Sequence, residues 1–386
     1  MSYRLLMLNY EFPPIGGGAG NAHLCLLRQY ADNSDMRIDV LTSAPKPGLF
    51  TESFSKNITI YKVGLHKKDL HFWRRVEVVE WLLKARPHYR RLLRENDYDL
   101  VHAFFGFPTA WLCYRSRDKL LYIISLRGSD VPGYNIRLGL DYKLTAGLFR
   151  RIWSGAAAVV ANSEGLRKLA LEFMPTLDIG IIPNGIDTEK YYPSQKQELA
   201  KPIKVLTVCR LISRKRIDLL VKAAGQAREL GLDVQLNIAG EGNLMEALKK
   251  LANRLKVADR VVFMGRVPVE QMPQVYRDND IFVMSSEHEG MSNAMLEAMA
   301  SGLPIITTRC EGVEELITDN GIIVETPGPR DIAAAIKELI QQPQTYSSMS
   351  AASRKRAEMF SWSSVASRYL QCYYEVLKRS RAQPPA

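Results

Sequence analysis

The sequence predicts an α/β protein built from two doubly wound, Rossmann-like domains that face each other across a cleft. Three observations favour this fold: the length of 386 residues, two successive series of short β-rich runs, and amphipathic stretches between those runs. A chain of this length exceeds one ordinary hydrophobic core and suits two domains of somewhat under about 200 residues. Near-continuous apolar strands that alternate with helices are typical of parallel sheets covered on both faces.

The first series of strands occupies the N-terminal half of the chain. Helical patterns such as NAHLCLLRQYA and LDYKLTAGLFRRIW separate most of these strands. The pattern predicts a first domain over residues 1–185. Its strand-forming runs are RLLMLNY, RIDVLT, ITIYKV, DLVHAF, KLLYIISL, AAAVVAN and IGIIP.

The second series begins after the polar stretch TEKYYPSQKQELAKP, which we interpret as a linker. It predicts a second domain over residues 186–361. A final amphipathic helix, residues 362–380, must bury its apolar face, and we expect it to cross back over the first domain. The strand-forming runs of the second domain are IKVLTVC, DVQLNIAG, RVVFMG, DIFVMSS, LPIITT and GIIVE.

Composition favours a globular protein of the cytoplasm. Hydrophobic residues make up 46% and charged residues 24% of the chain, as in ordinary globular domains. No apolar run approaches the roughly 18 to 20 residues of a membrane-spanning helix, and the N-terminal residues lack the features of a signal peptide. The five cysteines are far apart without a C-x-x-C pair, which argues for reduced thiols and against zinc or a disulfide framework.

The net charge of +11 is concentrated in residues 62–94, which hold ten Lys and Arg against three acidic residues. The segment also contains Phe72, Trp73 and Trp81. A solvated helix face explains such a run, and so does a basic, aromatic-edged surface that lies on anionic lipid. Nucleic acid is a third interpretation, but no nucleic-acid-binding motif accompanies the segment, so we predict no nucleic-acid partner.

A glycine-rich loop follows the first predicted strand in EFPPIGGGAGNAHL. Gly16, Gly17 and Gly18 let the backbone approach a ligand, and they leave N–H groups at a helix N-terminus for an anion. A purely steric turn is the alternative. The loop lacks the Lys of a P-loop, and the acidic residue of a dinucleotide-binding fold has only Asp39 near the required distance.

Two cations follow the first strand of the second domain, in VLTVCRLISRKRID. Arg210 and Lys215 lie in the loop at the carboxyl end of this strand, where ligands of open α/β sheets bind. A diphosphate requires such a pair, because Arg presents a fork of donors and Lys a point charge. Surface salt bridges are the alternative explanation.

Two carboxylates stand eight positions apart in SSEHEGMSNAMLEAMASGLPII. We expect Glu289 in the loop after a strand, and Glu297 on a helix that Ser292 or Asn293 caps and Gly302 ends. A buried lone carboxylate costs several kcal/mol, so Glu297 needs donors, which the ribose hydroxyls of a nucleotide supply. Glu289 is placed to hold sugar hydroxyls or to stabilise developing positive charge. An exposed position on a surface helix is the alternative for Glu297.

The N-terminus of that helix is a predicted phosphate site. We expect the N–H groups of Met291, Ser292 and Asn293, directly after Gly290, to bind phosphate. In the first domain, the candidates for chemistry are His102 in DLVHAFF and the pair Arg127 and Asp130 in SLRGSDV. A lone His is more often a structural residue, and that alternative stays open.

The ordered set of motifs resembles the retaining GT-B glycosyltransferases with the E-x7-E signature, the family-four type of glycosyl transferases group 1. The set comprises the glycine loop, IIPNGID, the R-x4-K of Arg210 and Lys215, IAGEG, and Glu289-x7-Glu297 followed by AMASGLPII. The resemblance covers nearly the whole chain and is strongest over residues 180–325.

The resemblance implies transfer of a sugar from a nucleotide sugar with retained anomeric configuration, without a metal or another cofactor. The first domain would hold the acceptor, the second the donor. Retaining enzymes of this type resemble a front-face substitution, so no protein nucleophile is named. Catalytic roles fall to Glu289, Arg210 and Lys215, and donor binding to Gly16, Gly17, Gly18, Glu241, Gly242, Gly290, Met291, Ser292, Asn293 and Glu297.

The chain departs from the family pattern at one position. Many relatives carry His-Gly where this chain has Arg127-Gly128. Arg127 takes a phosphate or acceptor role there, or His102 compensates; together with Asp130 these residues are the acceptor-side candidates.

The resulting hypothesis is a cytoplasmic glycosyltransferase, peripheral on the inner membrane face, that acts on a glycan or a lipid-linked acceptor. UDP-sugars are the commonest donors of the family and are the default. Three alternatives are a transferase for a small soluble acceptor, a non-catalytic sugar-nucleotide-binding scaffold of the same fold, and an NAD-linked dehydrogenase that rests only on the glycine loop.

Overall fold

A computed structural model describes residues 3–70, 72–135, 138–194, 199–289, 291–310 and 312–382. The chain divides into two compact units. The first combines the residues up to Gly185 with those from Trp362 onward, and the second spans Ile186–Ser361. Each has its own largely parallel sheet and its own hydrophobic core, which confirms the predicted α/β fold of two Rossmann-like domains.

The first unit alternates strands with helices. Its elements are β1 Tyr3–Leu8, α1 Gly18–Tyr30, β2 Met36–Ala44, β3 Leu49–Ser55, β4 Ile58–Gly64, α2 Arg75–Glu95, β5 Leu100–Phe104, α3 Thr109–Tyr114, β6 Tyr122–Leu126, α4 Gly139–Ser154, β7 Ala158–Ala161, α5 Glu164–Phe173 and β8 Ile179–Ile181. Among the described residues these strands form one sheet in the order β3-β4-β2-β1-β5-β6-β7-β8. The order reverses between β1 and β5, so the loops after these two strands meet at a topological switch point.

One strand of the first sheet departs from the prediction. Strand β3, which the hydrophobic pattern missed, pairs antiparallel with β4 at the edge of the sheet. Its sequence LFTESFS lacks a buried side, since Leu49 is 41% and Phe50 45% exposed. An edge strand with little burial carries no strong apolar signal, because that signal comes from the packed face of a sheet.

The last helix, α13, spans Trp362–Ala382 and packs on the first unit. Its residues reach the core through hydrogen bonds: the Tyr30 hydroxyl donates to the carbonyl of Ala366 at 3.0 Å, and the hydroxyls of Tyr369 and Ser125 lie 2.9 Å apart. The predicted return of this helix to the first domain is therefore confirmed.

The second unit repeats the pattern. Its elements are β9 Ile203–Val208, a 3₁₀ turn at Ser213–Lys215, α6 Ile217–Glu229, β10 Val234–Ala239, α7 Met245–Arg254, β11 Val261–Gly265, α8 Met272–Arg277, β12 Ile281–Met284, α9 Asn293–Ala300, β13 Ile305–Thr308, α10 Val313–Leu316, β14 Gly321–Val324, α11 Pro329–Gln341 and α12 Pro343–Glu358. Within the described ranges its strands are ordered β11-β10-β9-β12-β13-β14, all parallel. The order reverses between β9 and β12, which defines the switch point of this domain.

The stretch interpreted as a linker belongs to the second unit. Tyr191 is 5% exposed and its ring lies 5.8 Å from that of Tyr276, so this part of the stretch packs into the core. The many polar residues of this stretch suggested a linker, whereas the buried ring of Tyr191 anchors it in the second unit. Residues 195–198 of the same stretch lie outside the described residues.

Candidate active site

The loops after β9 and β12 meet at the switch point of the second domain. There the Lys215 ammonium donates to Oε1 of Glu289 and forms an ion pair with it. The Ser286 hydroxyl donates to the same oxygen at 2.9 Å. The side chains of Lys215 and Glu289 are 12% and 11% exposed, so the pair is largely withdrawn from water. Two predicted catalytic residues are thus brought together.

Three further contacts fix the two loops to each other. The Ser285 hydroxyl donates to the carbonyl of Lys215 at 2.9 Å, and the backbone N–H of Glu287 donates to the carbonyl of Arg214 at 2.9 Å. Nη1 of Arg216 donates to Oε1 of Glu287 at 2.9 Å. Arg216 holds a left-handed backbone conformation, φ 47° and ψ 40°, which a non-glycine residue adopts at some cost. These contacts preorganise the Lys215–Glu289 pair.

Arg210 is the second residue of the loop that follows β9. Its side chain is exposed, and it lies close enough to Lys215 to act on that residue's pKa. Burial in the first place, and the guanidinium groups of Arg214 and Arg210, lower the pKa of Lys215 to about 8. Contact with the Glu289 carboxylate favours the charged ammonium. The site therefore concentrates positive charge at the carboxyl end of β9.

The GEG turn after β10 packs directly on the β9 loop. A Cβ atom at Gly240 would meet the carbonyl oxygen of Cys209 at 1.9 Å, and one at Gly242 would meet that of Leu211 at 2.3 Å. The backbone N–H of Leu211 donates to the carbonyl of Glu241 at 2.8 Å, while the Glu241 side chain is exposed. Both glycines are required because two backbones touch here. Close packing thus accounts for a motif that the resemblance assigned to the nucleotide.

Helix α9 begins at the switch point as predicted. The Ser292 hydroxyl accepts a hydrogen bond from the N–H of Met295 at 3.3 Å, which makes Ser292 the N-cap before Asn293. Met291 and Ser292 are both buried. Gly302, at φ +71°, ends the helix, and Gly290 lies outside the described residues.

Glu297 lies on α9 and is half-buried. Its Oε2 accepts from the Tyr276 hydroxyl at 2.8 Å, and a side-chain hydrogen bond of Tyr191 also reaches its carboxylate. Burial nevertheless raises the pKa of Glu297 to about 7. The carboxylate thus has two tyrosine partners within its own domain, neither of which the sequence analysis named.

The glycine loop of the first domain follows β1 at the other switch point. Gly16 has φ +95°, and its N–H donates to the carbonyl of Leu70 at 2.7 Å. Gly17 caps α1, and its N–H donates to Oε2 of Glu11 at 3.4 Å. Gly17 and Gly18 are exposed, and Gly18 is the first residue of α1. A carboxylate already lies beside this helix N-terminus, which disfavours an anion there unless Glu11 is protonated; burial does raise the pKa of Glu11.

His102 lies in the core of the first domain. It is 0% exposed, its Nδ1 lies 2.8 Å from the Tyr373 hydroxyl and its Nε2 lies 2.7 Å from Oγ of Ser125. Both ring nitrogens are engaged, and burial holds the pKa of the ring well below its ordinary range. These contacts secure α13 to the sheet and favour the structural alternative for His102, whose acceptor role stays a prediction.

Asp130 is likewise structural. It is 2% exposed, its Oδ2 accepts from the N–H of Gly106 at 2.6 Å, and its Oδ1 accepts from the N–H groups of Arg127 and Gly128, each at 2.9 Å. The Arg127 side chain differs. Its Nη2 donates to Oδ1 of Asn184 at 2.8 Å, whereas its buried Nε has no hydrogen-bond partner among the described residues. Arg127 is thus the acceptor-side candidate with donor capacity left.

Comparison with known proteins identifies the class. The model of the Glycosyltransferase Family 4 matches residues 16–190, and that of Glycosyl transferases group 1 matches residues 191–356. The chain belongs to this family of glycosyltransferases, and its structure has the two-domain GT-B fold. The predicted family, fold class and enzyme class are confirmed.

Particular relatives are similar over much of their length. A phosphatidylinositol N-acetylglucosaminyltransferase component of Arabidopsis thaliana is 30% identical, with 98% of this chain and 83% of the relative covered. The GDP-mannose-dependent α-(1-6)-phosphatidylinositol monomannoside mannosyltransferase of Mycolicibacterium smegmatis is 29% identical, with 69% and 73% covered.

Two solved structures show the same fold. Sucrose-phosphate synthase from Thermosynechococcus elongatus superposes with a TM-score of 0.80 at 19% identity, covering 98% of this chain and 100% of that one. Anabaena HepE in complex with UDP and glucose gives 0.73 at 17% identity, covering 97% and 100%. In the described part of this chain, no helix is long and apolar enough to cross a bilayer, and no group of three acidic, His or Cys side chains is arranged around a metal position.

Proposed function

We propose that the chain is a retaining glycosyltransferase that moves a sugar from a nucleotide-sugar donor to a glycan or lipid-linked acceptor in cell-envelope or polysaccharide biosynthesis. The transferred group is a hexosyl or N-acetylhexosaminyl unit, and a UDP-sugar is the default donor. The Lys215–Glu289 ion pair at the switch point of the second domain carries the proposal, because it sets side by side a cation and the carboxylate to which we assign sugar binding.

The roles follow from the chemistry of each side chain. Lys215 and Arg210 balance the charge of the diphosphate without a metal ion, and Glu289 binds the donor sugar. The N-terminus of α9, from Met291 onward, binds phosphate, and Glu297 accepts from ribose hydroxyls.

The proposed reaction needs no protein nucleophile. The bond from the anomeric carbon to the diphosphate oxygen breaks while a bond to the acceptor hydroxyl oxygen forms on the same face. The proton of that hydroxyl passes to the leaving phosphate. Preorganised donors around the diphosphate stabilise its developing charge, by about 3 to 4 kcal/mol for each buried donor.

Names of relatives support a lipid-linked acceptor, since two of them refer to phosphatidylinositol or its mannoside. We propose a cytoplasmic enzyme that meets an anionic membrane surface through residues 62–94. A second candidate is a small soluble acceptor. Its support is the similarity to N-acetyl-α-D-glucosaminyl L-malate synthase of Bacillus anthracis, which is 26% identical, with 74% of this chain and 76% of that protein covered. The dehydrogenase alternative loses its support, because Oδ2 of Asp39 already accepts from Tyr98 at 2.8 Å and from Arg4 at 3.3 Å.

A panel of UDP-, GDP-, ADP- and TDP-sugars, each tested for thermal stabilisation, tests the donor proposal. A ligand at 100 times its Kd stabilises the native state by about 2.7 kcal/mol, which raises the melting temperature by several degrees. We expect one base to give this shift and NAD to give none. No shift with any nucleotide sugar would defeat the proposal.

A further inference from the structure

Helix α2 presents an apolar stripe to solvent. Val76, Val79 and Leu83 are 66%, 53% and 69% exposed, and their spacing of three and four residues puts them on one face of the helix. Phe72, just before the helix, is 58% exposed. Single exposed apolar residues are common on proteins, whereas an aligned set is typical of a binding surface.

A second helix extends the stripe. Leu140 and Leu144 of α4 are 68% and 78% exposed and share one helix face. Nη2 of Arg75 donates to Oδ2 of Asp141 at 2.7 Å, so an ion pair links the first turns of α2 and α4. We name the six exposed residues the apolar face: Phe72, Val76, Val79, Leu83, Leu140 and Leu144.

Positive charge continues the same two helix faces. On α2 the outward stripe runs on through Arg90 and Arg94, with Arg86 beside it, and on α4 it includes Lys143 and Arg151. Exposed apolar residues next to such cations match a bilayer of anionic lipid, in which apolar side chains enter the acyl boundary and the arginines meet headgroups.

The acidic residues nearby do not cancel this charge. Asp141 is paired with Arg75, and Oε1 of Glu80 accepts from Lys84 at 2.7 Å. Glu77 is buried and accepts from the ammonium of Lys67 at 2.8 Å.

The two tryptophans of the basic segment have another function. Trp81 is 0% exposed, and the ring of Trp73 packs 4.6 Å from that of Tyr10, with the Lys67 ammonium 4.0 Å from its centroid. These rings anchor the segment to the core. The apolar part of the predicted surface therefore consists of Phe72 and five aliphatic side chains, two of them on α4, and not of the tryptophans.

The apolar face also borders the glycine loop. The carbonyl of Leu70 accepts from the N–H of Gly16, and Leu70 is itself 38% exposed. A bilayer seated on the apolar face would therefore lie close to the glycine loop at the switch point of the first domain, the domain that is predicted to hold the acceptor.

We propose that the apolar face of α2 and α4 is the membrane-docking surface of this protein and that its partner is a bilayer rich in anionic lipid. The inference rests on the proposed function, because an enzyme with a lipid-linked acceptor must meet a membrane. Its physical basis, however, lies in the first domain alone and does not involve the Lys215–Glu289 pair of the second domain.

Sedimentation with vesicles tests the proposal. The full chain is mixed with vesicles of phosphatidylcholine alone or with phosphatidylglycerol added, at low and high salt. We expect binding to the mixed vesicles that weakens with salt. Replacing the α2 stripe by V76S, V79S and L83S should lower the partition coefficient at least about tenfold, because each apolar side chain contributes to insertion.

Two further variants separate the contributions. R86E, R90E and R94E together should also lower the partition coefficient at least about tenfold on mixed vesicles. A matched control replaces exposed apolar residues of the second domain by L230S, V269S and M359S, and it should bind as the wild type does. These side chains are 47%, 60% and 55% exposed.

The outcomes are distinct. Wild-type protein that stays unbound with phosphatidylglycerol, or an α2 variant that binds as tightly as the wild type, would overturn the docking surface. A dimer in solution that the same α2 substitutions abolish, without vesicle binding, would overturn it too and assign the face to a second copy. Thermal stabilisation by nucleotide sugars is measured in parallel and should be unchanged in every variant; its absence in the wild type would defeat the proposed function and leave vesicle binding as a separate result.

Discussion

The ammonium of Lys215 and the carboxylate of Glu289 form an ion pair that joins two loops of the second domain. Lys215 and Glu289 are far apart in the sequence, yet their loops follow the carboxyl ends of two neighbouring strands, β9 and β12. Hydrogen bonds from Ser285 and Ser286 hold the two partners in place. The proposed function assigns this cation to a diphosphate and this carboxylate to a sugar, and both side chains are already held in place.

The charge of Lys215 predicts how activity falls at alkaline pH. Its pKa is lowered to about 8, so the free enzyme loses this cation as pH rises through about 8. We expect kcat/KM for the donor to fall above that pH, approaching tenfold per unit. Lys215→Arg should shift the fall beyond pH 10, because a guanidinium stays charged.

Initial rates measured from pH 6.5 to 10 check this expectation. If Lys215→Arg turns over too slowly, the Kd of the preferred nucleoside diphosphate over the same range serves instead. An identical alkaline limb in both proteins would assign it to another group.

The raised pKa of Glu297 predicts that this residue lowers folding stability at neutral pH, while its proposed role is to bind the donor. Its pKa is raised from 4.5 to about 7 in the folded state, so the folded protein binds this proton more tightly than the unfolded chain. Folding stability therefore falls as pH rises from about 4.5 to 7, and the loss is complete above that range. Glu297→Gln should recover on the order of 1 to 3 kcal/mol at pH 8, a gain of several degrees in melting temperature, and little at pH 4.5.

The same substitution should weaken nucleotide-sugar binding at least about tenfold, since an amide is a poorer acceptor for ribose hydroxyls. Melting curves at pH 8 and pH 4.5, with and without the donor, measure both effects. A variant that is less stable at pH 8, or that binds the donor normally, would contradict the assigned role.

The close packing around Gly242 predicts that no larger residue fits at this position. A Cβ atom there would meet the carbonyl oxygen of Leu211 at 2.3 Å, which forces the β9 loop to move. We expect Gly242→Ala to destabilise the protein by about 2 kcal/mol or more and to reduce turnover, because Lys215 lies on the displaced loop.

Gly225→Ala is the matched control for that change. Gly225 lies within α6, and its nearest neighbour for an added Cβ is Val257 at 4.0 Å. An alanine there should leave activity unchanged and stabilise the helix by up to about 1 kcal/mol. Denaturant unfolding and turnover of both variants decide the matter; equal behaviour of the two would refute the packing role of Gly242.

The sequence predicted the parts of the fold that depend on burial. Alternating buried strands and helices gave both sheets, and the cap and end of α9 at Ser292 and Gly302 follow from local backbone chemistry. Strand β3 was missed because it buries little apolar surface.

Side-chain partners could not be predicted from the sequence. The sequence left open whether His102 is structural or chemical, and the structure shows Tyr373 and Ser125, far away in the chain, at its two ring nitrogens. The hydrogen bond from Tyr276 to Glu297 could not be predicted for the same reason. Such pairings depend on tertiary packing, which periodicity and spacing do not encode.

The most direct test of the account is donor turnover in Lys215→Ala and Glu289→Gln, followed as nucleotide release with the preferred donor and acceptor. Lys222→Ala, a partly exposed lysine of α6, and Glu338→Gln, an exposed glutamate of α11, are the matched controls. We predict that each change at the ion pair lowers kcat/KM at least about a hundredfold while the controls keep wild-type rates. Wild-type turnover in both Lys215→Ala and Glu289→Gln would contradict the central claim.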